Sequence, residues 1–383
     1  MRRVLTVACV AALALSCGAA VALRARAVAP GWAEAGAQEV SAQNASAQTP
    51  SAQGASAEVR ELINALGSPD ATARARAAYE LGRMKARAAA AVPALVALLG
   101  DAAAVDPSAY RKGERWHVPN EHTVGKEAAA ALASVGAQSV APLIAALGDA
   151  RAEARGNAAW ALGAIDDHRA VEPLVASLRD AEPRVREQSA WALGAMGDKR
   201  AAAPLAEALK DASSEVRQQA AWALGAIGYG DAAPALAESL KDSDEGVRSQ
   251  AAWALGAVGD RRGAAALAAA LTDASAQVQA QAAWALGAIG DASATEGLSS
   301  AVRSGATANV RAQAAWALGA VGDARGVPAL VEALKDENAN VRAQAAWALG
   351  AIGDGRAAEA LRAATRDKDE NVRRQASWAL SVL

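Results

Sequence analysis

The stretch AWALGAMGD, residues 190–198, returns as AAWALGAIG at 220–228, AAWALGAVGD at 251–260, AAWALGAIGD at 282–291, AAWALGAVGD at 314–323 and AAWALGAIGD at 345–354. One tryptophan marks each copy. Trp160, Trp191, Trp222, Trp253, Trp284, Trp316, Trp347 and Trp378 follow one another at 31 residues, with a single step of 32. A period of this length predicts a solenoid, in which each unit buries its apolar face against its neighbours. The register continues upstream in weaker form: Ala130 in AALASVG and Tyr79 in AAYELG hold the tryptophan position. Ten such repeats and one insertion account for residues 57–383.

Within a unit the pattern predicts two helices. Residues 170–178 (AVEPLVASL) form an amphipathic first helix, Asp180 to Pro183 a turn, and Val185 to Met196 a second helix. At 100° per residue, Val185, Ser189, Ala192, Leu193 and Met196 share one face, the core stripe. Gly197 supplies a left-handed stop, and Asp198 is placed to cap the next helical segment. Composition agrees. The chain is 53% hydrophobic but only 3% aromatic, with ten Trp, three Tyr and no Phe. A core of Ala, Leu and Val implies thin, closely packed helical layers, because these are good helix formers or small packers and strand-favouring aromatics are scarce.

The units resemble HEAT repeats, in particular the short-repeat branch related to phycobilisome-lyase (PBS lyase) subunits. The resemblance rests on the first-helix Pro173, Pro204, Pro234 and Pro328, the turn Asp, the pairs Val185-Arg186, Val216-Arg217 and Val341-Arg342, and the closing Ala-Leu-Gly-x-Ile/Val/Met-Gly. It spans about 85% of the chain and implies an all-α fold, an α-solenoid superhelix of about ten two-helix HEAT-like repeats. It implies a binding scaffold without naming a partner.

Two polar ladders run through the repeats: Asp149, Asp180, Asp211, Asp242, Asp273, Asp336 and Asp367, and Arg155, Arg186, Arg217, Arg248, Arg311, Arg342 and Arg373. Gln279 replaces one Arg, and Ser304 and Gly305 stand near one Asp place. Pairing of each Asp with the Arg of the following repeat keeps Asp273 matched to Arg311, so the expected role is a structural ladder between repeats.

Trp191 points about 145° away from the core stripe on the helical wheel. The tryptophan row therefore either wedges between adjacent second helices or lines an open groove, in HEAT-like arrays the concave one. Three residues earlier comes an amide: Asn157, Gln188, Gln219, Gln250, Gln281, Gln313, Gln344 and Gln375. At a helix spacing of about 8 to 10 Å, successive rings are expected to lie too far apart to stack. The row suits an extended peptide or a partner segment, with sugar stacking as a minor version; a seal between helices is the structural alternative.

The second repeat carries an insertion at about 101–122 with Tyr110, Arg111, Trp116, His117 and His122. Trp116 and His117 are candidate recognition residues of a loop on the solenoid rim. The His spacing fits no standard zinc pattern, and no metal or other cofactor is expected.

Residues 1–27 read as an export signal or membrane anchor, since Arg2 and Arg3 precede an uncharged run from Val4 to Leu23. Ordinary cleavage, lipidation at Cys17 and an uncleaved anchor all fit it, although Ala14 stands where a lipidation signal wants Leu. Residues 28–56 form a low-complexity Ser/Ala/Gln tether with a beat at Ser41, Ser46, Ser51 and Ser56. The protein is thus expected to be exported, in the bacterial periplasm or tethered to a membrane and facing away from the cytoplasm, touching the membrane only through this segment. Cys9 and Cys17 both lie there, so the repeats hold no thiol.

Formal charge is −2, and about −6 with Arg2, Arg3, Arg24 and Arg26 set aside, which argues against nucleic acid. Family analogy alone suggests a HEAT-derived enzyme, lyase-like or oxidoreductase-like. The HEAT-like deoxyhypusine hydroxylases are known for His-Glu pairs, and this chain has no His-Glu dipeptide. No Ser/His/Asp arrangement or phosphate loop is legible, so no catalytic residue is assigned. The expected function is an exported, non-catalytic scaffold that binds a partner protein or peptide, alone or as an end-to-end homodimer; a structural spacer is the other alternative.

Overall fold

The computed structural model describes residues 56–111 and 122–383. Twenty α-helices are present among them, in pairs. The first compact unit, which ends at Asp198, holds α1 (Ala57–Ala65), α2 (Ala71–Met84), α3 (Val92–Ala97), α4 (Val124–Val135), α5 (Val140–Ala146), α6 (Ala152–Ile165), α7 (Val171–Ser177) and α8 (Pro183–Met196). The second unit, from Lys199 to Leu383, holds α9 (Ala202–Ala208), α10 (Ser214–Ile227), α11 (Ala233–Ser239), α12 (Glu245–Val258), α13 (Ala264–Ala270), α14 (Ala276–Ile289), α15 (Thr295–Ser304), α16 (Ala308–Val321), α17 (Val327–Ala333), α18 (Ala339–Ile352), α19 (Ala358–Ala364) and α20 (Glu370–Val382). Odd-numbered helices are the first of each repeat and even-numbered ones the second. The fold is an α-solenoid, and among the described residues there is no strand, only an isolated bridge from Ala104 to Thr123.

Local chemistry sets the helix ends. Ser213, Asp244, Ser275, Thr307, Asn338 and Asp369 accept backbone N–H groups at the starts of α10, α12, α14, α16, α18 and α20. Gly197, with φ 65°, closes α8 in the left-handed conformation. At the end of α6 the same conformation falls on Asp166, φ 61°, with no glycine to relieve it. Each first helix from α7 on is entered through a single 3-10 turn, such as His168–Ala170, whose start is capped by Asp167.

The core is a column of small and medium aliphatics. Leu174, Leu193, Leu205, Leu224, Leu236 and Leu255 are fully buried, each contributing about 1.5–3 kcal/mol relative to exposure. On α8 the buried set contains the whole predicted stripe of Val185, Ser189, Ala192, Leu193 and Met196, and Ser189 satisfies its hydroxyl by donating to the Val185 carbonyl. Ala190 and Gly194 are also buried, so α8 packs on more than one side.

The ladder connects repeats, and its direction corrects the sequence expectation. Arg155 pairs with Asp180 at 2.7 and 2.8 Å, Arg217 with Asp242, Arg248 with Asp273, Arg311 with Asp336 and Arg342 with Asp367. Each Arg thus meets the Asp of the next repeat, while Asp273 bonds to Arg248 and not to Arg311. The same guanidinium also donates to its own turn, as Arg155 does to the carbonyls of Asp149 and Ala150. Bidentate Arg contacts hold Asp180, Asp242 and Asp273 below the usual carboxylate range.

A second ladder, not anticipated, runs along the 3-10 turns. Asp260, Asp323 and Asp354 cap their turns and pair with the Arg two residues on. Arg262, Arg325 and Arg356 then donate to the carbonyls of Gly230, Ala292 and Ala324 in the preceding repeat.

Candidate binding face

The tryptophans both wedge and show. Trp160, Trp191, Trp222, Trp253, Trp284, Trp316 and Trp347 are half-buried, and Trp378 is exposed. A Cβ added at Gly163 would stand 3.0 Å from Cζ3 of Trp191, and one at Gly256 would stand 2.6 Å from Cζ3 of Trp284. Gly225 relates in the same way to Trp253, Gly287 to Trp316, Gly319 to Trp347 and Gly350 to Trp378. The glycine of the Ala-Leu-Gly motif is therefore the seat on which the next repeat's indole rests. A glycine inside a helix costs about 1 kcal/mol against alanine; here the close approach of the next helix, with Ala285 Cα 2.8 Å from that Gly256 position, accounts for it.

One ring pair overturns the expected separation. Trp160 and Trp191 stack with centroids 6.1 Å apart and planes at 11°. Ala192 Cα lies only 2.6 Å from the Cβ position of Gly163, a glycine–alanine seat of the kind that lets helices pack at the near end of the usual spacing.

The amide row is half-buried alongside the indoles at Asn157, Gln188, Gln219, Gln250, Gln281, Gln313, Gln344 and Gln375. Among the described residues, Gln219, Gln250, Gln281, Gln313 and Gln344 give their side-chain amides to no other protein group. On α10, α12, α14, α16 and α18 the charged residues are Glu215, Glu245 and the four ladder arginines, all of which are paired. The second unit thus carries a nearly uncharged helix face of indole edges and open amides.

On α2, α4 and α6 of the first unit the same positions are engaged. The tryptophan and amide places hold Tyr79 and Arg76 on α2, Ala130 and Glu127 on α4, and Trp160 and Asn157 on α6. Gly82 confirms the register, since its Cβ position lies 3.0 Å from Ala131 Cα, as that of Gly163 meets Ala192. The chain's own segment from Leu99 into the insertion meets all three amide positions. Arg76 donates to the Ala109 carbonyl at 3.4 Å, and Asn157 donates to the Leu99 carbonyl at 2.7 Å. Glu127, buried, accepts from the Tyr110 hydroxyl at 2.9 Å, from Arg111 in a buried ion pair, and lies 2.7 Å from His122 Nε2. The Arg111 guanidinium stands 4.8 Å from the Tyr79 ring centroid, and Tyr110 packs on the same ring at 5.8 Å. Tyr110 also forms a buried apolar cluster with Ala75 and Val124, against which Ala71 and Leu98 pack.

The two feet of the insertion are tied to each other as well, by Val105 N–H to the His122 carbonyl and Val124 N–H to the Ala103 carbonyl. Burial pushes the Glu127 carboxyl up, but the hydrogen bonds from His122 and Arg111 outweigh it and hold it below the ordinary value. Burial and the neighbouring Glu127 carboxylate push the Tyr110 phenol up, so it remains a donor.

Trp116, His117 and Cys17, singled out from the sequence, lie outside the described residues. His122 is partnered by Glu127 within the protein. Among the described residues no group of His, Cys, Asp and Glu is arranged to hold a metal ion, and no single helix is long and apolar enough to cross a membrane. The engaged residues Arg76, Tyr110, Arg111 and Glu127 escaped the sequence reading of a tryptophan and glutamine row. For Arg76 and Glu127 the signal was present, since they hold the amide places of the two repeats that lack Trp, whereas Tyr110 and Arg111 lie in the insertion, outside the repeat register.

The HEAT repeats model matches residues 120–185, 171–256, 239–307 and 295–381. The chain belongs to the HEAT-repeat family. No curated protein matches it. Among solved structures, yeast importin-β is similar in fold, with TM-score 0.59 and 16% identity over 83% of this chain and 50% of that one. The CpcE and CpcF complex of phycocyanin lyase from Nostoc sp. PCC7120 is similar at TM-score 0.40 and 24% identity, over 71% of this chain and 100% of that one. An engineered protein is similar at TM-score 0.49 and 24% identity, over 85% of this chain and 98% of that one. As a HEAT-repeat solenoid, the chain has a fold compatible with a protein-interaction scaffold.

Proposed function

We propose that this protein is an exported, non-catalytic scaffold that binds an extended segment of a partner protein along the second-helix face of its solenoid. The observation that carries the proposal is the row on α10 to α18, where half-exposed indoles alternate with amides that have no partner among the described residues. These amides are half-exposed and bond to no protein group among the described residues, so a ligand can exchange their water for its own donors and acceptors without first breaking a bond inside the protein. Tryptophan adds the apolar contact that concentrates binding energy at interfaces. Export rests on the basic start and apolar run of residues 1–23, and the Ser/Ala/Gln stretch behind it supports a tether that holds the solenoid clear of a membrane.

Affinity capture from a membrane extract with the full chain, beside a variant carrying Gln250→Ala, Gln281→Ala and Gln313→Ala, tests this. These side chains make no bond inside the protein among the described residues, so the variant is expected to fold normally. Recovery of the partner should fall at least tenfold. Equal recovery by both proteins would remove the groove from the account.

A further inference from the structure

The first unit contains its own occupant of the row, and that occupant identifies the chemistry the open row accepts. From Leu99 to Arg111 the chain meets the amide places of three successive repeats. Two of them donate to main-chain carbonyls, Arg76 to Ala109 and Asn157 to Leu99. Their counterparts in the second unit, Gln219 to Gln344, carry amide donors at the same helical position. The aromatic place of the first repeat, Tyr79, receives a guanidinium at 4.8 Å and a phenol ring at 5.8 Å. Its counterparts in the second unit are indoles, which bind a cation over the ring face more strongly than a phenol does. Only the third element of the arrangement is particular to the first unit: the carboxylate of Glu127 has no equivalent among the glutamines.

We propose that the row on α10 to α18 binds an extended peptide segment bearing Arg and Tyr side chains, its main-chain carbonyls on the glutamine amides and its planar side chains against the tryptophans. This rests on the reading of that row as a binding groove and specifies its ligand. Charge agrees. Apart from paired ladder arginines, the five helices carry only Glu215 and Glu245, so nothing repels a guanidinium. Spacing sets the period: neighbouring helices lie about 8 to 10 Å apart, and a chain extended as polyproline II advances about 3.1 Å per residue with three residues per turn, so every third side chain faces the row and meets about one repeat.

Three synthetic peptides of about fifteen residues test the proposal by titration of the full chain's tryptophan fluorescence. One carries Arg or Tyr at every third position in a Gly/Ser background, the second carries Glu or Leu there, and the third is Gly/Ser throughout. The Arg/Tyr peptide is expected to shift the emission and bind at least tenfold more tightly than the others, and to lose that advantage on the Gln250→Ala, Gln281→Ala, Gln313→Ala protein. Equal or tighter binding of the Glu/Leu peptide, weakened by those substitutions, would overturn the ligand chemistry while leaving the groove in place. Binding of the Arg/Tyr peptide that the substitutions leave unchanged would put the peptide elsewhere and overturn the proposal. Absence of binding by all three would overturn it too, and partner capture that still depends on the glutamines would then show the groove to take another ligand.

Discussion

The same helix face is finished in two ways. On α2, α4 and α6 the amide places, and on α2 the aromatic place too, are occupied by the protein's own chain, through Ala109, Tyr110, Arg111 and Leu99. On α10 to α18 they repeat almost unchanged and meet no such segment among the described residues. Where an occupant is built in, the row has diverged: Trp gives way to Tyr79 and Ala130, and Gln to Arg76 and Glu127. Where none is present, the copies stay alike. A repeated position that is uniform in one region and individually fitted in another distinguishes a general binding register from a single fixed contact.

The largest expected effect breaks the built-in half of the comparison. Glu127→Ala leaves the Arg111 guanidinium buried without its ion pair, a loss of about 3–5 kcal/mol. Hydrogen exchange should show residues 103–111 opening, with α10 to α18 unaffected. The same hold is pH-dependent. Because the carboxyl of Glu127 is depressed in the folded protein, its contribution is complete above the ordinary carboxylate range and is lost as pH falls through the lower folded value. Circular dichroism melts at pH 7 and pH 3 should therefore differ more for the native protein than for Glu127→Ala.

Beneath the row both regions share one packing device, and Gly256→Ala tests it. Helix propensity alone predicts a gain of about 1 kcal/mol. The added methyl would meet Trp284 at 2.6 Å and the Ala285 backbone at 2.8 Å, so the expected outcome in urea is a loss of about 1–3 kcal/mol. A gain would mean that the indole does not rest on this glycine. Next in size is the ladder. Arg248→Ala removes a two-point contact to Asp273 and two turn bonds, and should cost about 1–3 kcal/mol. The smallest effect compares one first-unit helix end that closes without glycine with its glycine counterparts: Asp166→Gly should stabilise by about 0.5–1 kcal/mol, since a β-carbon is strained at φ 61°.

Most of the fold was legible because the repeat exposes it many times over. The stripe of Val185, Ser189, Ala192, Leu193 and Met196 and the stop at Gly197 came from spacing alone, and both are present. The ladder's existence was legible, but its direction was misjudged although the residues contained the answer. Pairing Asp with the following Arg would strand Asp242 against Gln279 and Arg342 against Gly305. Pairing Arg with the following Asp strands no charge, because Gln279 and Gly305 then fall opposite each other. The choice between wedge and groove was beyond the helical wheel, which gives direction but not depth. The Trp edge does both, since it is seated on a glycine of the adjacent repeat. The built-in occupant was hidden for another reason: Arg76 to Ala109 and Asn157 to Leu99 are contacts between distant residues, and no periodicity encodes them.

The central claim is that the second-helix face of the second unit is where an extended partner lies, and a photo-crosslinking side chain tests it most directly. Placed at Gln277, seven residues before Trp284 on the same face of α14 and exposed, it should join covalently to the Arg/Tyr peptide. Placed at Glu238, exposed on the first helix α11, it should give no adduct. Crosslinking from Glu238 with none from Gln277 would contradict the account.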